Sequence, residues 1–522
     1  MLVGALTLSP VAVLRPDPAF DEATPVDLDL VALETDGDLT DDDEEATSDL
    51  YPETPNDRPG WHVRLFGTHE FFRLWLVQVV SSLGDWLGFS AIILLAARVG
   101  GGAGAGAGAI SLVMAARIIP GFFFGPLAGV LVDRWDRKRT MVVCDLGRAA
   151  VIALLPFVDN ILGLVLASLA LEVLTLLWSP AKDATVPNLV PPDHLTTANS
   201  LSLAAAYGTF PFAALLFAAL AGVSSWLGGL EALSFLQLDQ MSLALYVDVL
   251  TFLFAALMVR SLALPKRSRD RRTESKRVDF AETLVQLKEG WSYIFLNHTV
   301  RAVNVGVATG LIGGGMLIPL GAVFSTEVLG AGAAGYGLFT TSLGFGVATG
   351  AIAVSALQRR LDKARVFTGS LFVAGAAMFV GATASTLAVA AAAVFVMGVF
   401  VGPVYVLGFV LLQEEVDDEL RGRVFSSLNT LVRLCVLVSM IAGPLLAAGL
   451  GALSESVWGG VLDVGPVSVP IPGVRLALWL GASIIVAAGF LALHSVRSGQ
   501  RTAAARSTPH PSRHSLVQPP AS

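Results

Sequence analysis

The chain has 522 residues, of which 54% are hydrophobic and 15% are charged, and its mean hydropathy is +0.69. A soluble protein of this length does not carry so much apolar surface, so the composition excludes one and predicts an integral membrane protein. The net charge of −8 conceals an uneven distribution, because residues 1–60 hold 16 of the 42 acidic residues and 2 of the 34 basic ones.

Both ends of the chain are predicted to be disordered. In residues 1–60 the acidic run at 41–45 repels itself and prolines interrupt any periodicity, so this segment is interpreted as an acidic tail. Residues 498–522 form a second predicted tail, whose histidines are too sparse for a metal site. Cys144 and Cys435 both fall in apolar segments, so no disulfide framework is expected.

Between the tails, twelve stretches are long and apolar enough to cross a bilayer, since about 20 apolar residues span roughly 30 Å of hydrocarbon. They predict an all-α integral membrane fold with twelve transmembrane helices. The predicted spans are 70–98, 108–132, 140–158, 161–180, 196–221, 241–264, 300–324, 334–357, 366–383, 386–412, 424–450 and 473–495.

Basic residues collect in every second gap between these spans. The gaps after the second, sixth, eighth and tenth spans are basic, whereas 99–107, 159–160, 222–240, 325–333 and 451–472 contain no Lys or Arg. By the positive-inside rule the basic gaps and both termini are predicted to be cytoplasmic, in a multi-pass protein of the plasma membrane.

The central basic gap divides six spans from six. The predicted domains are a first half, 61–264, a cytoplasmic loop, 265–299, and a second half, 300–497. Apolar residues from Phe280 to Ile294 recur every three or four positions, which predicts an amphipathic helix on the membrane surface within the loop. Similar motifs also occur at equivalent positions in the two halves. Such repeats are typical of transporters whose halves rock around a central site.

The most specific motif runs from Gly125 to Arg139, with the sequence Gly-Pro-Leu-Ala-Gly-Val-Leu-Val-Asp-Arg-Trp-Asp-Arg-Lys-Arg. It resembles the signature loop of the major facilitator superfamily, in the place that the family requires, between the second and third helices. The resemblance implies a fold of two pseudo-repeated six-helix halves around a central cavity. It also implies that this loop is a gate, formed by Gly125, Gly129, Asp133, Arg134, Arg137 and Lys138.

Three further stretches resemble the drug- and siderophore-exporter branch of that family: 82–85, 180–191 and 419–425. Two positions depart from the branch pattern. The fifth span reads Gly208-Thr-Phe-Pro211 without the Gly-Pro pair of exporters, although Gly443-Pro444 occurs in the eleventh, and the fourth span lacks the family's basic residue.

Inserting an ionisable residue at the centre of a membrane span costs roughly 3 kcal/mol on insertion scales. Each such residue is therefore expected to have a structural or functional role. We expect Asp85 either to pair with Arg117 or to take up a proton during transport. Glu172 is either a cavity residue that suits a cationic substrate or a protonated group bonded between helices. Asn304 and Tyr405 are further cavity candidates. Structural roles are expected for Asp145 and Arg148, three residues apart, and for Asp248 and Arg433.

These features predict a secondary active transporter that works by alternating access. The favoured function is proton-coupled efflux of small amphiphilic or cationic organic compounds; uptake and a non-transporting membrane receptor or regulatory protein remain alternatives. No phosphate-binding loop is present, so neither an enzyme nor a cofactor is expected. The expected partners are a small-molecule substrate, H+ and the lipid bilayer, with no nucleic acid and no second subunit.

Overall fold

The computed structural model describes residues 65–101, 103–132, 135–227, 239–262, 297–357, 360–416, 418–464 and 467–507. Within them, 12 helical segments are long and apolar enough to cross a membrane. The predicted all-α architecture with twelve spans is therefore confirmed. The acidic tail at 1–60 and the amphipathic helix predicted within 265–299 lie outside the described residues.

The first half contains spans one to six, and its fifth span is broken at Thr209 into two helices. Short 3-10 turns at Leu155–Phe157, Val186–Asn188 and Pro192–His194 flank the ends of the third, fourth and fifth spans. The helices are His69–Val99, Ala103–Val132, Arg137–Leu154, Ile161–Asp183, Leu195–Gly208 with Phe210–Leu227, and Ser242–Ser261.

The second half contains spans seven to twelve. The seventh span is interrupted at Met316 and ends in a π-helical turn, Phe324–Val328. An antiparallel hairpin of strands β1 (Val461–Val464) and β2 (Val467–Pro470) joins the last two spans. The helices are His298–Gly315 with Leu317–Val323, Gly332–Leu357, Lys363–Thr383, Leu387–Glu415, Asp418–Trp458 and Gly473–Ser507.

One predicted boundary is wrong at the C-terminus. The twelfth helix continues to Ser507, beyond the predicted span end at 495 and into the stretch 498–522 that was predicted to be disordered. The added residues include Gln500, Arg501 and three successive alanines, which are strong helix formers and extend a helix already nucleated in the membrane.

Glycines allow the closest helix contacts, and these lie in the second half. A Cβ atom on Gly346 would lie 2.4 Å from the carbonyl oxygen of Phe395, and one on Gly350 would lie 2.0 Å from that of Val399. The eighth and tenth spans therefore meet backbone to backbone. The motif glycine Gly125 of the second span makes no such contact, because a Cβ there would meet nothing within 4 Å.

The two halves meet through the second span against the eleventh and the fifth against the eighth. Ser111 Oγ donates a hydrogen bond to the carbonyl of Ile441 at 2.8 Å, and the Phe212 and Phe345 rings stack edge to face at 5.5 Å. A Cβ on Gly337 would lie 2.7 Å from the backbone nitrogen of Ala218. These contacts run from mid-membrane toward the side without basic gaps, here called the non-basic side, so the molecule is closed on that side.

One basic residue on the non-basic side, Arg98, forms an ion pair. Arg98, at the end of the first span, forms an ion pair with Asp239, which also accepts hydrogen bonds from the Ser242 backbone at 2.7 Å and hydroxyl at 2.5 Å. Burial alone would raise the pKa of Asp239, but these hydrogen bonds hold it below its usual value. Gln240 beside it accepts from the Ala333 backbone of the other half at 3.4 Å.

Candidate functional site: a buried charge cluster in the first half

Arg148 of the third span is the centre of a buried cluster of charges. Its Nη2 donates to Asp145 Oδ1 at 2.5 Å, and its Nη1 lies 3.7 Å from Asp85 Oδ2 of the first span. The exposed fractions of the three residues are 1%, 0% and 7%. The expected pairing of Asp145 with Arg148 is present, and the same guanidinium also faces the first span.

Aromatic rings complete the surroundings of Arg148. Its guanidinium lies 4.4 Å from the centroid of the Phe252 ring and 5.0 Å from that of Trp178. The indole Nε1 of Trp178 donates to Asp145 Oδ2 at 3.3 Å. A guanidinium over ring faces is stabilised by the ring quadrupole, most strongly where water is excluded. Spans three, four and six thus hold this cation in place together.

A small cavity with both polar and apolar walls lies next to this ion pair. Its volume is about 10 Å³, which is the space that one water molecule requires. The polar residues that line it are Asp85, Arg117, Arg148, Thr175 and Asp248, and the other half of the lining is Gly88, Phe89, Ile92, Ile152 and Leu171. Spans one, two, three, four and six all contribute, so the cavity lies inside the first half and not between the halves.

Asp248 enters the cavity from the sixth span, against two glycines of the first. A Cβ atom on Gly84 would lie 2.3 Å from Asp248 Oδ1, and one on Gly88 would lie 2.3 Å from Oδ2. Any larger residue in either place would displace the carboxyl. Asp248 Oδ1 accepts a hydrogen bond from Thr251 Oγ1 at 3.1 Å, and the residue is 1% exposed.

The expected pairing of Asp85 with Arg117 is wrong. The ion-pair partner of Asp85 is Arg148, while the guanidinium of Arg117 lies 5.9 Å from the centroid of the Phe89 ring. Both arginines nevertheless line the same cavity, and Arg117 interacts electrostatically with Asp85. Glu172 is 0% exposed in the fourth span and also interacts with Asp85, so it belongs to this cluster.

The predicted gating loop is described in part. Arg137 Nη1 donates to the carbonyl of Ala184 at 2.6 Å, and Lys138 Nζ donates to that of Leu262 at 2.7 Å. These bonds tie the start of the third span to the ends of the fourth and sixth. Gly129 lies in the second-span helix, and Asp133 and Arg134 lie outside the described residues. The gating role of this loop stays a prediction.

The second-half candidates do not line the cavity. Asn304 is 1% exposed in the seventh span, and its Nδ2 donates to the carbonyl of Val300 at 2.8 Å. Tyr405 and Arg433, in the tenth and eleventh spans, both interact electrostatically with Tyr207 of the fifth span. This places a tyrosine pair and a guanidinium across the two halves. Sequence reasoning did not single out Tyr207, and no motif marks it.

Sequence reasoning also missed residues that local signals could have revealed. Asp136 caps the third span by accepting from the Arg139 backbone at 2.8 Å, and Asp362 caps the ninth by accepting from Arg365 at 3.1 Å. Asp followed three residues later by Arg at a helix start is a detectable repeat signal. A second detectable signal is the Gly84-x-x-x-Gly88 spacing in the first span, which is typical of close helix packing.

Twelve spans in two contacting halves, with a water-sized cavity of ionisable groups inside one half, define a multi-pass transporter of the membrane. The chain belongs to the Major Facilitator Superfamily, whose profile matches residues 74–440. This is a family of transporters and not of enzymes. The prediction of the family is thereby confirmed.

Relatives with assigned roles are distant. The chain is 23% identical to Macrolide efflux protein A of Streptococcus pyogenes over 392 residues, which cover 73% of this chain and 90% of that protein. It is 26% identical to the putative bacilysin exporter BacE of Bacillus amyloliquefaciens over 375 residues, covering 69% and 84%.

The fold also resembles that of a solved structure. A bacterial homologue of the human lysosomal transporter Spinster, crystallised in an inward-facing and unoccupied conformation, has a TM-score of 0.63 and 14% identity. The match covers 83% of this chain and 98% of that one. At this identity the likeness establishes the fold alone.

Proposed function

We propose that this protein exports small amphiphilic or cationic organic compounds across the plasma membrane in exchange for protons. The observation that carries the proposal is the composition of the buried cluster. Among the described residues, it holds the four carboxyl groups of Asp85, Asp145, Glu172 and Asp248 and the two guanidinium groups of Arg117 and Arg148. A buried surplus of acid is what a proton-binding site requires.

The physical argument concerns charge in a medium of low dielectric constant. Arg148 neutralises Asp145 at 2.5 Å and approaches Asp85 at 3.7 Å. With these six groups ionised, they would together carry a net charge of −2 away from water, and burying charge costs several kcal/mol for each ion. Binding protons removes this cost, so the protonation of the cluster and the arrangement of the surrounding spans depend on each other.

The direction of transport is supported by two exporters among the relatives, and the substrate class is supported by one of them, the macrolide efflux protein. A macrolide such as erythromycin is a large apolar ring with a basic amine, and so is both amphiphilic and cationic. The substrate path is the space between the halves that Tyr207, Tyr405 and Arg433 flank, while the charge cluster lies apart from it, within the first half.

Orientation and assembly complete the proposal. Both termini and the basic gaps face the cytoplasm, the signature loop with Asp133 and Arg134 acts as the gate there, and the protein works as a monomer. The two halves, 61–264 and 300–497, alternate between arrangements closed on one side or the other. In this orientation, closure on the non-basic side is the inward-facing arrangement.

A flux assay tests this proposal. In inside-out membrane vesicles with an acidified lumen, vesicles that contain the protein should accumulate labelled erythromycin, and a protonophore should abolish the accumulation. Asp85→Asn should lower pH-driven accumulation to the level of vesicles without the protein, because the cluster loses a proton-binding carboxyl. Asp362→Asn is the matched control, since asparagine also caps a helix and this carboxyl is exposed at the surface.

Three results would contradict the proposal. Accumulation only in right-side-out vesicles would indicate uptake. Binding of erythromycin without accumulation would indicate a receptor. Full pH-driven accumulation by Asp85→Asn would exclude proton coupling through that carboxyl.

A further inference from the structure

Asp248 is a buried carboxyl without a direct counter-ion. Its Oδ1 accepts a hydrogen bond from Thr251, but its Oδ2 has no hydrogen-bond partner among the described residues, and no described cation lies within the 4.0 Å of an ion pair. An isolated buried carboxylate is strongly destabilised, whereas a protonated carboxyl loses only one hydrogen bond. The neutral form is therefore the stable one at this position.

The position of this carboxyl is fixed by packing. The absence of a Cβ at Gly84 and Gly88 leaves the space that its two oxygens occupy beside the first span. Asp85, adjacent to Gly84 in the first span, lines the same cavity. One water molecule fits there and can bridge the two carboxyl groups.

The groups facing Asp248 come from every span packed around it. They are Asp85 of the first span, Arg117 of the second, Asp145 and Arg148 of the third, Glu172 of the fourth and Thr251 of its own span. Arg148 is committed to Asp145 at 2.5 Å and lies 3.7 Å from Asp85. The negative charge of Asp85 further favours a neutral Asp248.

We propose that Asp248 is a proton carrier of this transporter: it holds a proton on Oδ2 in the arrangement closed on the non-basic side and exchanges it with Asp85 through the cavity water. In the exchange, Oδ2–H gives its proton to the water, which passes a proton to the Asp85 carboxylate. Arg148 can then stabilise the Asp248 carboxylate in place of Asp85. The proposal deepens the proposed function and rests on it for the role of the proton in transport.

Infrared spectroscopy of the full-length protein in lipid vesicles tests the protonation directly, without a substrate. At neutral pH the wild-type protein should show the carbonyl-stretch band of a protonated carboxyl, and Asp248→Asn should lose a component of it. Asp362→Asn should leave the band unchanged, because that carboxyl is exposed and ionised. An unchanged band in folded Asp248→Asn would overturn the proposal.

Thr251→Val provides a second variant that keeps the carboxyl itself. Valine has nearly the shape of threonine but lacks the hydroxyl that lies 2.7 Å from the backbone carbonyl oxygen of Asp248 and 3.1 Å from its Oδ1. If Asp248 is protonated, its carbonyl band should shift to higher frequency in this variant. A band that is identical in the wild-type protein and Thr251→Val would contradict a protonated Asp248 that accepts from Thr251, and this comparison can be made even if Asp248→Asn fails to fold.

The link to transport is tested separately with erythromycin. Asp248→Asn should lose pH-driven accumulation but keep the exchange of labelled for unlabelled erythromycin at equal pH. Replacing a residue with only a structural role would impair both activities. Wild-type vesicles without pH-driven accumulation would refute the proposed function. Wild-type accumulation that Asp248→Asn retains in full would refute only the role of Asp248.

Discussion

At the scale of single residues, the position of Arg148 explains why so many ionisable groups are tolerated within the membrane. One guanidinium neutralises Asp145, approaches Asp85 and lies over the rings of Trp178 and Phe252. Each contact lowers the cost of burying the charge, and none would be sufficient alone. Arg148 therefore both stabilises the first half and keeps Asp85 beside the cavity.

Replacing this cation should strongly destabilise the protein. Arg148→Met leaves the Asp145 carboxylate buried without its counter-ion, so the free energy of unfolding should fall by about 3–5 kcal/mol. The double variant Asp145→Asn with Arg148→Met removes both charges and should recover most of this loss. Denaturant titration of the purified protein in detergent micelles measures both effects.

The matched control is the Arg365 pair with Asp362, which has the same i, i+3 spacing at 2.9 Å but lies at the surface, where the Arg365 side chain is 84% exposed. Arg365→Met should cost less than about 1 kcal/mol. Equal losses for Arg148→Met and Arg365→Met would show that burial does not determine the strength of the Arg148 pair.

At the scale of helices, glycine placement decides which spans form fixed pairs. Gly346 and Gly350 bring the eighth span against the backbone of the tenth, whereas Gly125 in the repeat-related second span faces open space. The same Gly-x-x-x-Gly spacing is thus part of a tightly packed helix contact in the second half. In the first half, Gly125 of this motif has no neighbouring atom close to it. Clearance at Gly125 lies beside the predicted gate, where helix movement is required.

This difference predicts opposite results for the same substitution. Gly350→Ala places a methyl group 2.0 Å from a backbone oxygen, so the two spans must separate, at a cost of about 1–3 kcal/mol in unfolding free energy. Gly369→Ala in the ninth span meets nothing within 4 Å and should leave stability unchanged or raise it through better helix propensity. Thermal unfolding in detergent compares them, and equal melting temperatures would contradict this interpretation.

At the scale of the whole molecule, the charge cluster and the contact between the halves occupy different places. The cavity is built by five spans of the first half, whereas the halves meet through the second, fifth, eighth and eleventh spans. The first and second spans belong to both regions, since the Leu317–Val323 helix of the second half contacts them. Protonation of the cluster can therefore bias the arrangement of the halves through these two spans.

Orientation in the membrane is testable with single cysteines. Ser456→Cys lies on an exposed surface of the non-basic side, and Arg365→Cys lies on the basic side. A membrane-impermeant thiol reagent should label Ser456→Cys in intact cells and Arg365→Cys only after permeabilisation. The native Cys144 and Cys435 are 3% and 4% exposed and should give little background. The reverse labelling pattern would invert the proposed topology.

The sequence by itself determined the number of spans, the alternation of the basic gaps, the family and the identity of most intramembrane charges. Hydropathy, length and short motifs are local properties, so they can be read without a fold. Tertiary structure decided which charges meet. Asp85 faces Arg148 and not Arg117, and Asp248 fits against Gly84 and Gly88, because pairing depends on the rotation and approach of helices distant in the chain. The rotation and approach of these helices are set by packing over the whole first half. No single segment of the sequence contains enough information to predict them.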